Sequence, residues 1–262
     1  MTRVRLDVTL VERGLAPTRK KAQARIMAGD VRVNGAPATK PGAAVPREAR
    51  IEVAAAPSFV GRGALKLQEA LDRFGVGVAL KVAIDVGAST GGFTEVLLAR
   101  GARRVYAVDV GRAQLHERLR QDPRVVSLER INARNLSLAR VKERCATGVM
   151  DVSFISVLKI LPALSEILEP GADLVTLVKP QFEVGKGLVG KGGIVKDPEL
   201  QCEALTRVAL SSRAMGYGVL GACASPILGA RGNREFFLHL RPSAPGLDED
   251  GTRRAARQAV FA

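Results

Sequence analysis

The sequence has little with which to build several common kinds of site. Of 262 residues only three are cysteine, Cys145, Cys202 and Cys223, and they stand too far apart for a Cys-x-x-Cys metal or redox pair. Three thiols cannot complete a disulfide framework, so they are expected as buried core cysteines in a reducing compartment. Histidine occurs only as His116 and His239, which confines any imidazole base to those two positions, and no metal-ligand cluster is apparent. No apolar run approaches the ~20 residues that span a bilayer. The start, MTRVRLDVTL, carries Arg3, Arg5 and Asp7 where an export signal would be apolar. A cytoplasmic protein with no membrane partner and no metal is expected. Acids are also in deficit, 26 Asp+Glu against 40 Lys+Arg, and the net charge of +14 attracts polyanions, of which nucleic acid and anionic membrane surfaces are the usual ones.

What is present is enough to fold. Hydrophobic residues make up 47% and charged residues 25%, the balance of a globular chain with a sizeable core. Residues 1–50 hold eleven of the basic side chains against four acids, so the charge is concentrated at one end. Leu6, Leu10 and the Leu15 region predict a short helix stopped by Gly14, and Thr18 can cap a second helix with Ala22 and Ile26 on one face. Lys20, Lys21 and Arg25 then fall on or near the other face. Val31 and Val33 alternate before the turn dipeptide Asn34-Gly35, and the run from Arg50 to Ala54 reads as a returning strand. Leu6-Asp7, Leu10, Arg13-Gly14-Leu15, Thr18-Arg19, Ala22, Ile26, Gly29, Val31 and Val33-Asn34-Gly35 together resemble the S4 RNA-binding domain. In that family the second helix and the following turn lie on structured RNA, where shape and phosphates dominate recognition. The resemblance makes Arg3, Arg5, Arg19, Lys20, Lys21, Arg25, Lys40 and Arg62 the candidate RNA contacts. Pro57 and the glycines of the following GRG mark a linker over 57–62, between an S4-like domain at 1–56 and a second domain at 63–262.

From residue 63 short β-branched runs alternate with amphipathic helices, which predicts an α/β, Rossmann-like domain with a mainly parallel sheet covered on both faces. Its first strand runs into Asp85-Val86-Gly87-Ala88-Ser89-Thr90-Gly91-Gly92-Phe93, with a helix directly after. Glycines at such a turn let backbone approach a ligand at the carboxyl end of the strand. Their spacing departs from the dinucleotide fingerprint G-x-G-x-x-G, and the acid precedes them. The segment resembles motif I of S-adenosylmethionine methyltransferases, in which a carboxylate and backbone amides hold the amino-acid part of the cofactor. Asp109, ending the second strand, suits the ribose hydroxyls, and Asn132, after the third, the adenine edge; the alternative for each acid is a strand-end cap. Gly87 to Gly91 also matches the G-x-S-x-G elbow of an α/β-hydrolase with Ser89 as nucleophile, although His239 lies inside a predicted strand. The run from Gly185 to Lys191 matches a phosphate loop but continues with Gly192 where Ser or Thr is needed, and reads as a basic substrate loop.

Four dispersed segments complete the pattern: GRGALKL around Lys66, DVSFIS around Asp151, LVKPQFEVGKG around Lys179 and GNREFF around Glu235. Together they resemble the TlyA family of ribosomal RNA 2′-O-methyltransferases, which join an S4 domain to an FtsJ-like methyltransferase domain with a seven-stranded sheet. The resemblance covers essentially the whole chain. It implies methyl transfer from S-adenosylmethionine to cytidine in 16S and/or 23S ribosomal RNA of the 30S and/or 50S subunits, by a monomer. It also implies a tetrad of Lys66, Asp151, Lys179 and Glu235, with Lys179 as the base, Asp151 orienting it, and Lys66 and Glu235 holding the ribose. Two lysines and two carboxylates sum to no net charge, which makes their clustering in a cleft tolerable. The basic start and the tail GTRRAARQAVFA are similar to the longer members, those expected to modify both subunits. Phe93, Phe154, Phe182, Phe236 and Phe237 are expected mainly in the core, with Phe182 the candidate for stacking on a base. The competing readings are the Ser89 hydrolase, an RNA-binding protein without catalysis, and a lytic protein, since the family also carries a haemolysin name.

Overall fold

The computed structural model describes residues 3–27, 29–53 and 59–262. It divides into two compact units, Met1–Ser58 and Phe59–Ala262. Of the expected linker, residues 57 and 58 lie outside the described residues, while Phe59 and Val60 pack on the core of the second unit.

The first unit begins with β1 (Arg3–Arg5), α1 (Leu6–Glu12) and α2 (Arg19–Met27). It continues with β2 (Val31–Val33), β3 (Ala36–Pro37), β4 (Ala44–Pro46) and β5 (Ile51–Val53). Gly14 takes φ +68 after α1, and Thr18 Oγ1 accepts from the Lys21 amide as the predicted cap. Leu6, Leu10, Ala22, Ile26 and Val31 form its core. Asn34-Gly35 turns β2 directly into β3, and the strand expected to return, β5, pairs antiparallel with the other edge of β2. The β1–β4 pair has no signature in the sequence; three residues per strand are too few to show a period.

The second unit runs α3 (Gly63–Phe74), β6 (Val82–Val86), α4 (Gly92–Ala99), β7 (Arg104–Val108), α5 (Glu117–Arg120) and β8 (Val125–Leu128). It then runs α6 (Leu138–Val141), β9 (Cys145–Met150), α7 (Leu161–Ile167), β10 (Leu168–Val178) and α8 (Pro180–Glu183). Last come α9 (Pro198–Ala214), β11 (Tyr217–Ala224), β12 (Phe236–Pro242) and α10 (Glu249–Phe261). The seven-stranded sheet has the order β11-β12-β10-β9-β6-β7-β8, and β12 runs antiparallel to both its neighbours. Alternate strand residues supply two cores, Ile84, Val86, Met150 and Phe236 facing α7, α9 and α10, and Ala83, Val149, Leu177 and Phe237 facing α3 and α4. All three cysteines are buried and free of disulfides. Among the described residues no helix is long and apolar enough to cross a membrane.

By apolar pattern alone the run GVMDVSFIS, residues 148–156, reads as one strand, but β9 stops at Met150, and the chain turns through Phe154 at φ +66. The basic tail is a packed helix, α10, capped by Asp248 Oδ1 on the Gly251 amide and buried through Ala256, Ala259 and Val260.

Candidate active site

Strand register decides which side chains meet. Val86 pairs with Met150 in the parallel β6–β9 ladder, Met150 with Thr176 in β9–β10, and Val178 with Phe236 in the antiparallel β10–β12 ladder. Asp151 and Lys179 are therefore the first residues beyond the carboxyl ends of β9 and β10. Glu235, one residue before β12, emerges at the same sheet edge because that strand runs the other way. Lys179 Nζ lies 2.6 Å from Asp151 Oδ1 and donates to Ser153 Oγ at 2.8 Å. Lys66, in the first turn of α3, donates to Glu235 Oε2 at 2.6 Å. The tetrad is thus two lysine–carboxylate pairs along one sheet edge, with both lysines and Glu235 buried.

The glycine turn sits at the same edge. Gly87, at φ +87, passes so close to the β9 loop that a Cβ there would lie 2.2 Å from the Asp151 carbonyl oxygen. Gly91, at φ +98, precedes α4, and a Cβ would strike Leu119. Ser89 is left-handed at φ +48, and its amide donates to Asp109 Oδ2 at 2.8 Å; Oδ1 of the same carboxylate accepts from the Gly111 amide at 2.7 Å. A cleft of about 530 Å³ is lined by Gly87, Ser89, Asp109, Asn132, Asp151 and Ser153 among others. A smaller one beside it is bordered by Arg62, Ala88, Thr90, Gly92 and Phe93, although the Phe93 ring itself packs on Phe237 with centroids 6.2 Å apart. Asn132 Oδ1 accepts from the Arg134 amide at 3.1 Å, so its carbonyl caps a short turn.

Asp85 is fully buried in β6. Oδ2 accepts from Thr94 Oγ1 at 2.6 Å, while Oδ1 has no hydrogen-bond partner among the described residues. Burial, reinforced by the charges of Asp151 and Asp109 and partly countered by Thr94, pushes the carboxyl up to about 7. Asp109 lines the larger cleft, while Asp85, buried behind the same glycine turn, lines neither cleft; this acidic backing favours a cationic ligand. S-adenosylmethionine, with its ammonium and sulfonium, fits that requirement.

Comparisons with known proteins identify the family. Residues 59–242 match the FtsJ-like methyltransferase model and residues 4–51 the S4 domain. The chain is 49% identical over 261 residues to the 16S/23S rRNA (cytidine-2′-O)-methyltransferase TlyA of Mycobacterium tuberculosis, covering 97% of each. This chain belongs to the TlyA family. It is also 40% identical over 237 residues to Hemolysin A of Brachyspira hyodysenteriae, covering 90% of this chain and 99% of that one. A solved structure of a hemolysin-named protein from Streptococcus thermophilus superposes with TM-score 0.77 at 40% identity, covering 99% of this chain and 96% of that one. TlyA membership makes the chain an S-adenosylmethionine-dependent methyltransferase.

The hydrolase reading finds no support. Nδ1 of His116 accepts from the Arg118 amide, and His239 is buried within β12 with Nε2 2.9 Å from Asp173; among the described residues Ser89 makes no hydrogen bond to either ring. Within Gly185–Lys191 a 3₁₀ turn spans Lys186–Leu188, and no α-helix follows until Pro198, so the run lacks the helix start of a phosphate loop.

The basic candidates of the S4 unit separate into two groups. Arg5 and Arg19 are tied at 3.0 Å to the buried Asp7 carboxylate, which Gln23 also contacts at 2.8 Å. Arg25 lies 3.6 Å from Asp30. Arg3, Lys20, Lys21 and Lys40 are exposed, as is Arg62 in the second unit. Arg13, part of the S4 pattern, instead donates to the carbonyls of Ala49 and Arg47.

Sequence reasoning missed three residues around Lys66, Asp151, Lys179 and Glu235. Ser153 touches Lys179, and its position two residues after Asp151 was the available signal. Phe154 was expected in the core but is 91% exposed, its ring 5.1 Å from that of Phe182. Glu183, four residues after Lys179, is buried.

Proposed function

We propose that this protein transfers a methyl group from S-adenosylmethionine to the ribose 2′-oxygen of cytidine in 16S and 23S ribosomal RNA, within the 30S and 50S subunits. The observation that carries the reading is the meeting of Lys179 with Asp151 at 2.6 Å on a strand end beside the glycine turn. The name of the 49% identical relative supports the nucleotide and the RNA.

S-adenosylmethionine, when bound, supplies an electrophilic methyl group on its sulfonium. Asp85 and the backbone from Gly87 to Phe93 hold its amino-acid part, Asp109 its ribose hydroxyls and Asn132 its adenine edge. Each Asp109 oxygen already accepts one backbone amide, which fixes the carboxylate and leaves a lone pair on each for a hydroxyl. A 2′-hydroxyl is a weak nucleophile, so attack requires in-line positioning and removal of its proton. Lys179, in its neutral form, takes that proton on Nζ; Asp151 and Ser153 fix the direction in which Nζ points. Lys66 and Glu235 hold the ribose.

Residues 1–56 grip RNA through the exposed Arg3, Lys20, Lys21 and Lys40, with Arg5, Arg19 and Arg25 shaping that surface, and the catalytic unit begins at Phe59. The protein works as a monomer in the cytoplasm, where ribosomes are. Incubating it with purified 30S and 50S subunits and methyl-labelled donor tests the reading: label must appear on cytidine riboses as alkali-resistant dinucleotides. Label on a base, or none on RNA, contradicts it.

A further inference from the structure

Lys179 and Asp151 belong to different loops, and their 2.6 Å contact is only as good as the alignment of those loops. The loop after β9 carries Asp151, Ser153 and Phe154 and ends in a 3₁₀ turn over Val157–Lys159. The loop after β10 carries Lys179, and α8 follows with Pro180 at its start and Glu183 at its end. The Glu183 side chain turns away from solvent. Oε2 accepts from Ser156 Oγ at 2.7 Å, and Oε1 from the Val157 amide at 2.9 Å. Its backbone carbonyl accepts from the Arg207 guanidinium of α9. Glu183 is therefore anchored to a long helix on one side and clamps the β9 loop on the other.

From this geometry we infer that Glu183 is a positioning residue, which sets Lys179 against Asp151 and Ser153 by stapling their two loops together through Ser156 and Val157. The inference rests on the proposed reaction. A buried carboxylate is a costly staple, since burial raises its pKa against the help of Val157, Ser156 and Arg207. Two acceptor oxygens on one planar group satisfy a hydroxyl and a backbone amide of the same turn, which a shorter or apolar side chain does not do. The hydrogen bonds of Glu183 go to Ser156, Val157 and Arg207 and to none of the cofactor residues named above, so its effect passes through Lys179.

The experiment compares wild type, Glu183→Ala, Glu183→Gln and Ser156→Ala as full-length proteins, with Lys179→Ala as control. Methyl transfer to ribosomal subunits is measured as kcat and KM, and affinity for S-adenosylhomocysteine by calorimetry. Misplacing a reacting group by an ångström costs about 100-fold, so Glu183→Ala is expected to lower kcat by about 10- to 100-fold with KM and cofactor affinity unchanged. Glu183→Gln is expected to recover most of the loss, its carbonyl accepting from Val157 and its amide donating to Ser156 Oγ. Ser156→Ala removes half the staple and gives an intermediate fall in kcat, a result available even if Glu183→Ala does not fold. Full kcat in Ser156→Ala and Glu183→Ala, or a loss that falls equally on kcat and cofactor affinity, overturns the inference while an active wild type keeps the reading. No transfer by wild type overturns the reading and the inference with it.

Discussion

Lys66 Nζ stands 2.6 Å from Glu235 Oε2, a buried ion pair joining the first turn of α3 to the start of the antiparallel strand β12. Removing one member of such a pair leaves the other charge buried and costs about 3–5 kcal/mol, whereas replacing both with apolar groups of similar volume is often neutral. Lys66→Met is therefore expected to lower thermal stability and abolish transfer, and Lys66→Met with Glu235→Leu to regain stability without activity. Thermal melts and transfer assays on the two variants check this; a double variant that regains activity removes the pair from the chemistry.

Asp85 links the cofactor site to pH. Its carboxyl is pushed up to about 7 by burial, against an ordinary value of 3.8. The folded, ligand-free protein then holds this proton over a range where the unfolded chain has lost it, so stability from this group is present below about 4 and declines as pH rises through 7. Asp85→Asn should flatten that decline in thermal melts. The same substitution should weaken S-adenosylhomocysteine binding by about tenfold or more, the worth of one charge-assisted hydrogen bond. Affinity for the cofactor in wild type should rise across pH 7 as Asp85 ionises, and a flat calorimetric profile contradicts the role given to this carboxylate.

The basic surface of the S4 unit separates by experiment. Lys20→Ala with Lys21→Ala should weaken RNA binding and reduce the slope of log affinity against log salt by about one for each phosphate no longer neutralised, leaving stability unchanged. Arg5→Ala and Arg19→Ala should also lower thermal stability, because both guanidiniums hold the buried Asp7 carboxylate, which Arg5 above all keeps well below the usual range. Filter binding at several salt concentrations, paired with melts, distinguishes the two groups. Equal stability losses in all three variants contradict the division.

Much of this was legible in the sequence where a local rule is strong. The turn from Asp85 to Gly92 is confined by chain sterics, because only glycine suits φ +87 with a carbonyl 2.2 Å from the missing Cβ. Strands β6, β7 and β10 contain the short apolar runs of a doubly covered sheet, broken by Asp85 in β6 and Thr176 in β10. Lys66, Asp151, Lys179 and Glu235 were reachable only through family resemblance, since no spacing rule joins them; register and the antiparallel insertion of β12 do. Helix α10 hid because its buried face is made of small side chains, Gly251, Thr252, Ala256 and Ala259 with Val260, amid arginines. Phe154 was assigned to the core by residue type, but β9 ends at Met150 and the left-handed backbone at Phe154 itself turns the ring outward. Glu183 had no signal, because its partners lie on a loop that only the fold brings near.

The most direct test of the account is Lys179→Ala in a purified assay with ribosomal subunits, read with S-adenosylhomocysteine affinity on the same preparation. Loss of ribose methylation with cofactor and RNA binding retained is the predicted result; methyl transfer to cytidine 2′-oxygens at the wild-type rate contradicts Lys179 as the group that takes the proton.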